Sequence, residues 1–342
     1  MQGIRQRIIG LDIGGANLKA AHTDGTARLV PFALWKQPEL LGSELRRLID
    51  SMPPFDLLAV TMTGELCDCF ESKRQGVNAI LDAVEQVARG TAIRVWRNDG
   101  VFVEVAGARQ TPLQVAAANW LALAIYAGRF APEGPALLID IGSTTTDIVP
   151  LHNGKPVPKG RTDPERLNCH ELVYLGVCRT PLCALFGRRG ATEFFATTLD
   201  AYLVLDMISE DPNNYDTADG RPATKVSAHA RLARMRCADL ETTTEEERLE
   251  IARLARHFLK TQIHVSVTQV IKMMPALPRA FILSGTGEFI ADAILETCTL
   301  TYPTLSSARR FSLSALLTPE VSQAGPAYAL AILAADKFNS DD

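Results

Sequence analysis

The chain carries the same short pattern twice, and this repeat limits the folds it can adopt. Residues 11–21 read LDIGGANLKAA, and residues 139–149 read IDIGSTTTDIV. In each copy an apolar run ends in Asp-Ile-Gly, small residues follow, and a second run with strand character begins immediately. The repeat therefore predicts two similar units, each built around a strand, a tight turn and a returning strand.

The length of the chain and a Gly- and Pro-rich interruption near its middle agree with two units. A chain of 342 residues is long for one compact core, and 47% apolar residues can fill two. The stretch GRFAPEGP at residues 128–135 interrupts the pattern with Gly and Pro. We therefore predict an N-terminal domain over residues 1–129 and a C-terminal domain over residues 130–342, with a polar, loop-rich insertion at 161–222.

Apolar spacing and capping residues predict the remaining elements. Thr244 and Glu247 form a capping-box pair that begins a long helix. The runs LLAVTM at 57–62 and AFILSG at 280–285 have the character of buried strands. Apolar patterns predict further helices at residues 39–51, 75–89, 112–127 and 322–337.

Charge and composition exclude several classes of partner. The net charge of −4 and the isoelectric point near 5.9 argue against a broad basic face for nucleic acid. The opening MQGIRQRIIGLD has no apolar run long enough for a signal peptide or a spanning helix. We therefore expect a cytoplasmic protein that binds neither nucleic acid nor membrane; composition carries no signal of its oligomeric state.

The seven cysteines are dispersed and include no CxxC pair, which predicts free thiols rather than a disulfide framework. Cys67 and Cys69 could together hold a soft metal, but no second pair has zinc spacing. His170 and the other histidines likewise lack ligand spacing. We interpret these residues as structural.

The repeated turns carry groups that suit phosphate. Their backbone leaves N–H groups without a strand partner, the glycines admit a close ligand, and the hydroxyls add donors. Asp12 and Asp140, at the strand ends, would face the same phosphate chain. A carboxylate beside phosphate is favoured mainly when Mg²⁺ or a transferable proton lies between them. The candidate phosphate-binding residues of the two hairpins are Gly14, Gly15, Lys19, Gly142, Ser143, Thr144 and Thr145.

A third glycine turn strengthens the phosphate interpretation. One Asp-Ile-Gly turn alone is commonly a matter of backbone conformation. The segment LSGTGEF at 283–289, however, places Gly285 and Gly287 where a strand meets a helix. Nucleotides and phosphates commonly bind at such junctions. We therefore add both glycines to the candidate phosphate-binding set.

The order of these motifs resembles that of a known superfamily. The first hairpin, the connector VTMTGELCD, the second hairpin and the glycine turn are similar to the actin, sugar kinase and Hsp70 ATPase superfamily. The resemblance implies an α/β fold of two ribonuclease-H-like domains around a central cleft. Further segments resemble the hydantoinase/oxoprolinase-related family of tetrahydromethanopterin-linked one-carbon transfer proteins: DIGGANLKAA, MTGELCD, AAANWLA, DIGSTTTDIVPL, TDPERL, ELVYLGVCRTPL, DTADGRP and RLARMRCAD.

The family resemblance implies a reaction in methanofuran or methylofuran biosynthesis. An aminomethylfuran diphosphate would be joined to the phenol oxygen of γ-glutamyltyramine or a tyrosine analogue, with release of pyrophosphate. Such chemistry needs a diphosphate clamp, a cation and a base near the phenol. Mg²⁺ held by Asp12 or Asp140 would supply the cation. Lys19 would help to hold the diphosphate, and Glu65 is our candidate base.

Each of these roles has a structural alternative. Lys19 could be a solvated strand residue, and Glu65 could favour the start of a helix. Asp147 could orient Thr144 or a metal-bound water, or bond to the backbone. In TDPERL, the residues Asp163, Glu165 and Arg166 could reach the amine or glutamyl end of the substrate, or form a solvated loop.

Two other functions fit the same motifs. An ATP-dependent small-molecule kinase would use the same cleft, because phosphoryl transfer is common in this fold. A nucleotide-binding protein without turnover would use it as well. ATP is a cofactor only under these alternatives, and fold alone does not decide among the three.

Overall fold

The computed structural model describes residues 6–338 and contains two mixed sheets in that range. The first sheet has the strand order β3-β2-β1-β4-β5-β6, in which β1 runs antiparallel to β2 and parallel to β4. Its strands are β1 (Ile8–Ile13), β2 (Asn17–His22), β3 (Ala27–Pro31), β4 (Leu57–Met62), β5 (Ala92–Trp96) and β6 (Phe102–Val103). The helices of this half are α1 (Leu41–Asp50), α2 (Lys73–Ala88), α3 (Val105–Gln110), α4 (Pro112–Val115) and α5 (Asn119–Ala127).

The second sheet repeats this plan. It has the order β10-β8-β7-β11-β12, with β9 paired to β8. Its strands are β7 (Pro135–Ile141), β8 (Thr146–His152), β9 (Lys155–Pro156), β10 (Leu172–Val173), β11 (Ala280–Ser284) and β12 (Arg309–Ser312). The helices are α6 (Asp163–Asn168), α7 (Leu182–Phe186), α8 (Thr198–Val204), α9 (Lys225–Arg234), α10 (Glu245–Met273), α11 (Glu288–Thr301), α12 (Leu313–Leu316), α13 (Pro319–Gln323) and α14 (Gly325–Phe338).

The two sheets share one pattern of strand pairing, which confirms the α/β class and the repeat. In each, an antiparallel hairpin is extended on one side by a third antiparallel strand, β3 or β10. On the other side, two parallel strands follow, β4 and β5 or β11 and β12. Strand β10 belongs to the segment 161–222 that we expected to be an insertion, so part of this segment extends the sheet. The predicted domain boundary at residues 129 and 130 stays a prediction.

The sheets and helices stack in layers because the central strands are apolar on both faces. In β1, Ile9, Leu11 and Ile13 pack with α1 and α2, whereas Ile8 packs in the cluster of α5 and α14. This middle cluster also contains residues of β7, β8 and β11, so α5 and α14 lie between the two sheets. Helices α8, α10 and α11 cover the outer face of the second sheet.

Helix α14 approaches the first sheet very closely at one glycine. A Cβ placed on Gly10 of β1 would lie 1.9 Å from the carbonyl oxygen of Ala327. Only a residue without a side chain permits this contact. The late helix and the first strand are thus packed backbone to backbone.

Most predicted elements are confirmed, but the helix expected at 112–127 is wrong as a single element. Helix α4 ends at Val115, and α5 begins at Asn119. Between them, Ala116 bridges in parallel to Met62, and Ala117 adopts a positive φ of 46°. The break therefore comes from pairing with β4, which an apolar run cannot reveal.

The capping box that begins α10 is confirmed. The Glu247 N–H donates to Thr244 Oγ1 at 3.3 Å, and Glu247 Oε2 accepts from the Thr244 N–H at 2.7 Å. Between residues 6 and 338, no helix combines the length and the apolar character that crossing a membrane requires.

Candidate active site

Both Asp-Ile-Gly turns open into one cleft of about 440 Å³. The turns have the same geometry, since the Gly14 N–H donates to Asn17 O at 3.0 Å and the Gly142 N–H donates to Thr145 O at 2.8 Å. These two glycine amides close the turns and are therefore not free for a ligand. The Asn17 side-chain amide donates to Ser143 Oγ at 3.2 Å, so the turns contact one another across the cleft.

The next two amides of each turn remain available. Within the described part of the chain, no acceptor pairs with the N–H of Gly15, Ala16, Ser143 or Thr144. All four residues line the cleft, as does Thr145 with its hydroxyl group. Successive backbone N–H groups with neighbouring hydroxyls form a concave donor surface for phosphate oxygens. The turns thus leave donors for the phosphate-binding role expected of them, and that role stays a prediction.

Asp12 is buried at the end of β1, beneath the first turn. The hairpin register places it opposite Lys19, whose Nζ lies 3.5 Å from Asp12 Oδ2. The Nδ2 atom of Asn119 lies 3.5 Å from the same oxygen. The other oxygen, Oδ1, is buried and has no partner among residues 6–338. A buried carboxylate oxygen without a donor is unfavourable unless a ligand or a cation meets it.

Asp140 occupies the corresponding position in the second hairpin, but it faces Asp147 instead of a lysine. Burial and the Asp147 carboxylate raise the pKa of Asp140 to about 7, and Lys19 opposes the rise. Asp147 Oδ1 accepts a hydrogen bond from Arg166 Nη1 at 2.7 Å. The Arg166 guanidinium also stacks on the Trp120 ring, 4.0 Å from its centroid. Asp147 is therefore held by a buried side chain rather than by the backbone.

Glu65 is buried in the connector between β4 and α2. Lys73 Nζ lies 3.9 Å from Glu65 Oε1 and 4.0 Å from Asp163 Oδ2. Burial raises the pKa of Glu65 to about 7, because the nearby ammonium offsets only part of the desolvation. Its Oε2 has no partner within the described residues. Since α2 begins at Lys73, the alternative that Glu65 starts a helix is wrong.

A stacked ion pair joins the two halves at the rim of the cleft. The Arg179 guanidinium lies 4.2 Å from the Trp35 ring centroid and donates to Asp216 Oδ2 at 2.8 Å. Lys36 Nζ lies 3.5 Å from Asp216 Oδ1. Trp35 and Lys36 precede α1, whereas the other two residues follow β10. The contact therefore ties the first half of the chain to the second.

The third glycine turn lies outside the cleft lining. Gly285 has a φ of +91°, and a Cβ there would lie 2.6 Å from Asp140 Oδ1. The Gly287 N–H donates to Ile141 O at 2.7 Å. Both glycines thus pack the turn against the end of β7 and allow Asp140 its position. Their predicted contact with phosphate stays a prediction.

The TDPERL segment divides between the cleft and the surface. Asp163 and Arg166 line the cleft. Glu165 is exposed, and its Oε2 accepts from the Thr162 N–H at 3.1 Å as part of a capping box that starts α6. The segment is thus a helix start that directs two of its three charged residues toward the cleft.

Several cleft residues were not identified as candidates from the sequence. They are Trp35, Asn119, Tyr174 and Arg179. The last three lie in the family-like segments AAANWLA and ELVYLGVCRTPL, but the resemblance of these segments did not indicate which of their residues reach the cleft. Asn17 could have been found, because it is the last residue of the first turn. The others are assembled only by the tertiary fold.

The carboxylates in the cleft suit Mg²⁺, which needs few protein ligands, rather than a metal ion enclosed by protein side chains. Residues 6–338 contain no group of three or more His, Cys, Asp or Glu side chains that could hold a metal. Mg²⁺ is commonly held by one or two carboxylates, with waters and phosphate oxygens completing its shell. The unpartnered Oδ1 of Asp12 and the nearby Asp140 supply such carboxylates.

Burial raises the pKa of Cys67 to about 11, so this residue remains a thiol.

Two curated proteins from methanogens are similar to the chain. It is 33% identical over 337 residues to the (4-{4-[2-(γ-L-glutamylamino)ethyl]phenoxymethyl}furan-2-yl)methanamine synthase of Methanocaldococcus jannaschii, across 95% of this chain and 97% of that protein. The protein of the same name from Methanococcus vannielii is 33% identical over 215 residues, across 60% of this chain and 92% of its own length.

Fold and family comparisons agree with the motif order. The nucleotide-free structure of acetone carboxylase, an ATP-dependent enzyme, matches with a TM-score of 0.51 and 10% identity, over 96% of this chain and 70% of that one. With the repeated strand order, this likeness confirms the expected α/β fold of two ribonuclease-H-like halves around a central cleft. The hydantoinase/oxoprolinase family model matches residues 56–316. The chain therefore belongs to the hydantoinase/oxoprolinase family.

Proposed function

We propose that this protein is an ether-forming transferase of methanofuran-type cofactor assembly. It joins an aminomethylfuran diphosphate to the phenol oxygen of γ-glutamyltyramine, or of the tyrosine analogue, and releases pyrophosphate. The similarity over nearly its whole length to a synthase whose name describes a phenoxymethyl-furan product supports this choice. The cleft must then supply a diphosphate clamp and a base.

One observation carries the proposal: Glu65 lines the same cleft as the paired turns. Its pKa of about 7 lets it accept a proton near neutral pH, and its Oε2 lacks a protein partner. A phenol bound in the cleft would pass its proton to this buried carboxylate directly or through one water. A diphosphate on the turn amides would occupy the same cleft. The proposal therefore assigns both requirements of the reaction to one cleft.

The proposed step moves one proton and one leaving group. The bond between the furan methylene carbon and the diphosphate oxygen breaks, and its electron pair leaves with pyrophosphate. The phenol oxygen forms the new bond to that carbon, and its proton passes to the Glu65 carboxylate and then to water. The free amides of Gly15, Ala16, Ser143 and Thr144, together with Lys19, stabilise the charge that develops on the leaving group.

A magnesium ion would add to this clamp. Asp12 and Asp140 would hold it, and it would neutralise charge on the diphosphate. The cation also explains why two aspartates lie beside a site for an anion. Without it, their charges would oppose the binding of a diphosphate.

The test is pyrophosphate release by the purified protein, given Mg²⁺, the aminomethylfuran diphosphate and either γ-glutamyltyramine or γ-glutamyltyrosine. We expect pyrophosphate and the ether in equal amounts, with the mass of the product identifying the preferred phenol. Parallel reactions contain ATP and either acceptor. Formation of ADP and a phosphorylated acceptor, without pyrophosphate or ether, would replace the proposal with a kinase. Nucleotide binding without any product would favour a non-catalytic nucleotide-binding protein.

A further inference from the structure

We propose that Leu66 and Tyr174 form the two walls of an aromatic-ring subsite that holds the phenol of the acceptor beside Glu65. The identity of the acceptor rests on the proposed function. The subsite itself rests on the position and the exposure of the two side chains. It assigns them a role in selecting an aromatic acceptor.

Both side chains are exposed inside a concave site. Leu66 and Tyr174 are each 59% exposed, and both line the cleft. Large apolar side chains that line a pocket are the usual contact surface for a ligand. Other strongly exposed apolar residues, such as Leu300 on α11 and Val226 on α9, are absent from the cleft lining. The exposed side chains of Leu66 and Tyr174 therefore lie in the cleft, unlike those of Leu300 and Val226.

The two residues come from opposite halves of the chain and line the cleft together with Glu65. Leu66 directly follows Glu65 in the connector after β4, whereas Tyr174 directly follows β10. Desolvation around the Tyr174 hydroxyl, and then the charges of Asp163 and Glu65, raise the pKa of Tyr174. The phenol of Tyr174 thus lies within the field of the proposed base. A ring bound between Leu66 and Tyr174 would lie next to that base.

The chemistry of the walls favours a flat aromatic ligand. A leucine side chain packs on a ring face, and a tyrosine adds offset or edge contacts with a second ring. An aliphatic alcohol of similar length would lose the ring contacts. The subsite thus predicts that acceptors are discriminated by the ring as well as by the hydroxyl group.

The test compares Leu66→Ala and Tyr174→Ala with two matched controls. Leu113 is 62% exposed and Tyr215 is 58% exposed, and neither lines the cleft. We expect the KM for the phenolic acceptor to rise about tenfold in each cleft variant, with the KM for the furan diphosphate unchanged. Leu113→Ala and Tyr215→Ala should match the wild type. Turnover with an unchanged acceptor KM in both cleft variants would overturn the subsite and leave the proposed function standing.

A second measurement separates the subsite from the reaction. Calorimetric titration of γ-glutamyltyramine into the protein, without the furan diphosphate, measures acceptor binding alone. Binding by the wild type that is weakened about tenfold in both alanine variants supports the subsite even if no ether forms. Absence of binding to the wild type, or equal binding by all variants, overturns it. Tyr174→Phe retains the ring and should bind as the wild type does, whereas a loss as large as that of Tyr174→Ala would overturn the ring contact.

Discussion

Asp140 and Asp147 face each other across the β7–β8 hairpin in the same register that sets Lys19 opposite Asp12 across β1–β2. The two hairpins are alike in backbone but opposite in charge at this position. Lys19 is a cation 3.5 Å from Asp12, whereas Asp147 is a second acid that contributes to the raised pKa of Asp140. The two aspartates are therefore not interchangeable. The first half has a cation beside its turn, and the second has a pair of acids.

Asp12→Asn and Asp140→Asn should each lower pyrophosphate release by ~10²-fold or more, because each substitution removes a negative ligand from the proposed cation site. Circular dichroism and thermal unfolding should show an intact fold in both variants. Asp50→Asn, at the exposed end of α1, serves as the control and should retain full activity. Normal turnover in either active-site variant would remove that aspartate from the mechanism.

The kcat/KM for ether formation should rise as the pH increases through about 7. The pKa of Glu65 is raised to about 7 by burial, and only the ionised form, which predominates above that pH, can accept the phenolic proton. Glu65→Gln should be slow and should lose this part of the profile. Rates of pyrophosphate release from acidic to mildly alkaline pH provide the measurement. An unchanged profile in Glu65→Gln would identify another base.

Lys73→Met should move the Glu65 inflection of that profile to higher pH by about one pH unit. Lys73 Nζ lies 3.9 Å from Glu65 Oε1, so its loss removes a charge that favours the ionised carboxylate. Asp163→Asn should move the inflection in the opposite direction, because the Asp163 carboxylate raises the pKa of Glu65. The neighbouring Arg74 is exposed, and Arg74→Met is the control. Equal inflections in all three variants would show that Lys73 does not tune the base.

Arg231→Leu should destabilise the protein by roughly 3–5 kcal/mol. Arg231 is fully buried and pairs with the buried Asp200 at 2.7 Å, so its removal leaves a carboxylate without its cation. Arg234 lies one turn later on α9 and is partly exposed. Its Nη1 atom lies 3.2 Å from Asp219 Oδ2. Arg234→Leu should therefore change stability by about 1 kcal/mol or less. Urea unfolding measures the free energy of unfolding of both variants. Similar losses in the two variants would contradict the stabilising role of the buried Arg231–Asp200 pair.

Gly10→Ala should lower the free energy of unfolding by at least about 1–3 kcal/mol, because its methyl group would collide with the Ala327 carbonyl oxygen of α14. Gly107, inside α3, has only an ordinary van der Waals neighbour for an added Cβ. Gly107→Ala should therefore stabilise the protein by about 0.5–1 kcal/mol. Thermal and urea unfolding of the two variants should give changes of opposite sign.

Local signals in the sequence were sufficient for the hairpins and for several helices. Each Asp-Ile-Gly turn is closed by a bond from its own Gly amide, so residues within the pattern determine its geometry. The start of α10 likewise depends on the adjacent pair Thr244 and Glu247. The break at Ala116–Ala118 could not be predicted in this way. It depends on the bridge to Met62, which is distant in sequence.

The candidate site was predicted only in part for the same physical reason. Asp12, Asp140 and Glu65 do line one cleft, because strand ends and the connector carry recognisable patterns. Trp35 and Arg179 contact each other only through the tertiary fold. Arg179 lies in the family-like segment ELVYLGVCRTPL, but nothing in that segment indicates the contact. Gly285 and Gly287 fit a phosphate pattern, yet the cleft is lined by other residues. A glycine pattern reports backbone freedom and does not reveal which contact requires it.

The packing of α14 on the first sheet has a consequence for biosynthesis. β1 is translated before α14, the helix that covers one of its faces, and the whole second sheet is translated between the two. Until then, Ile8 and Leu57 lack their neighbours from α14, and the N-terminal half cannot complete its core. Domains commonly fold in the order of their synthesis. Here the N-terminal half is translated before the C-terminal half but is expected to be among the last parts to become stable. Its apolar surface therefore stays accessible to chaperones for longer.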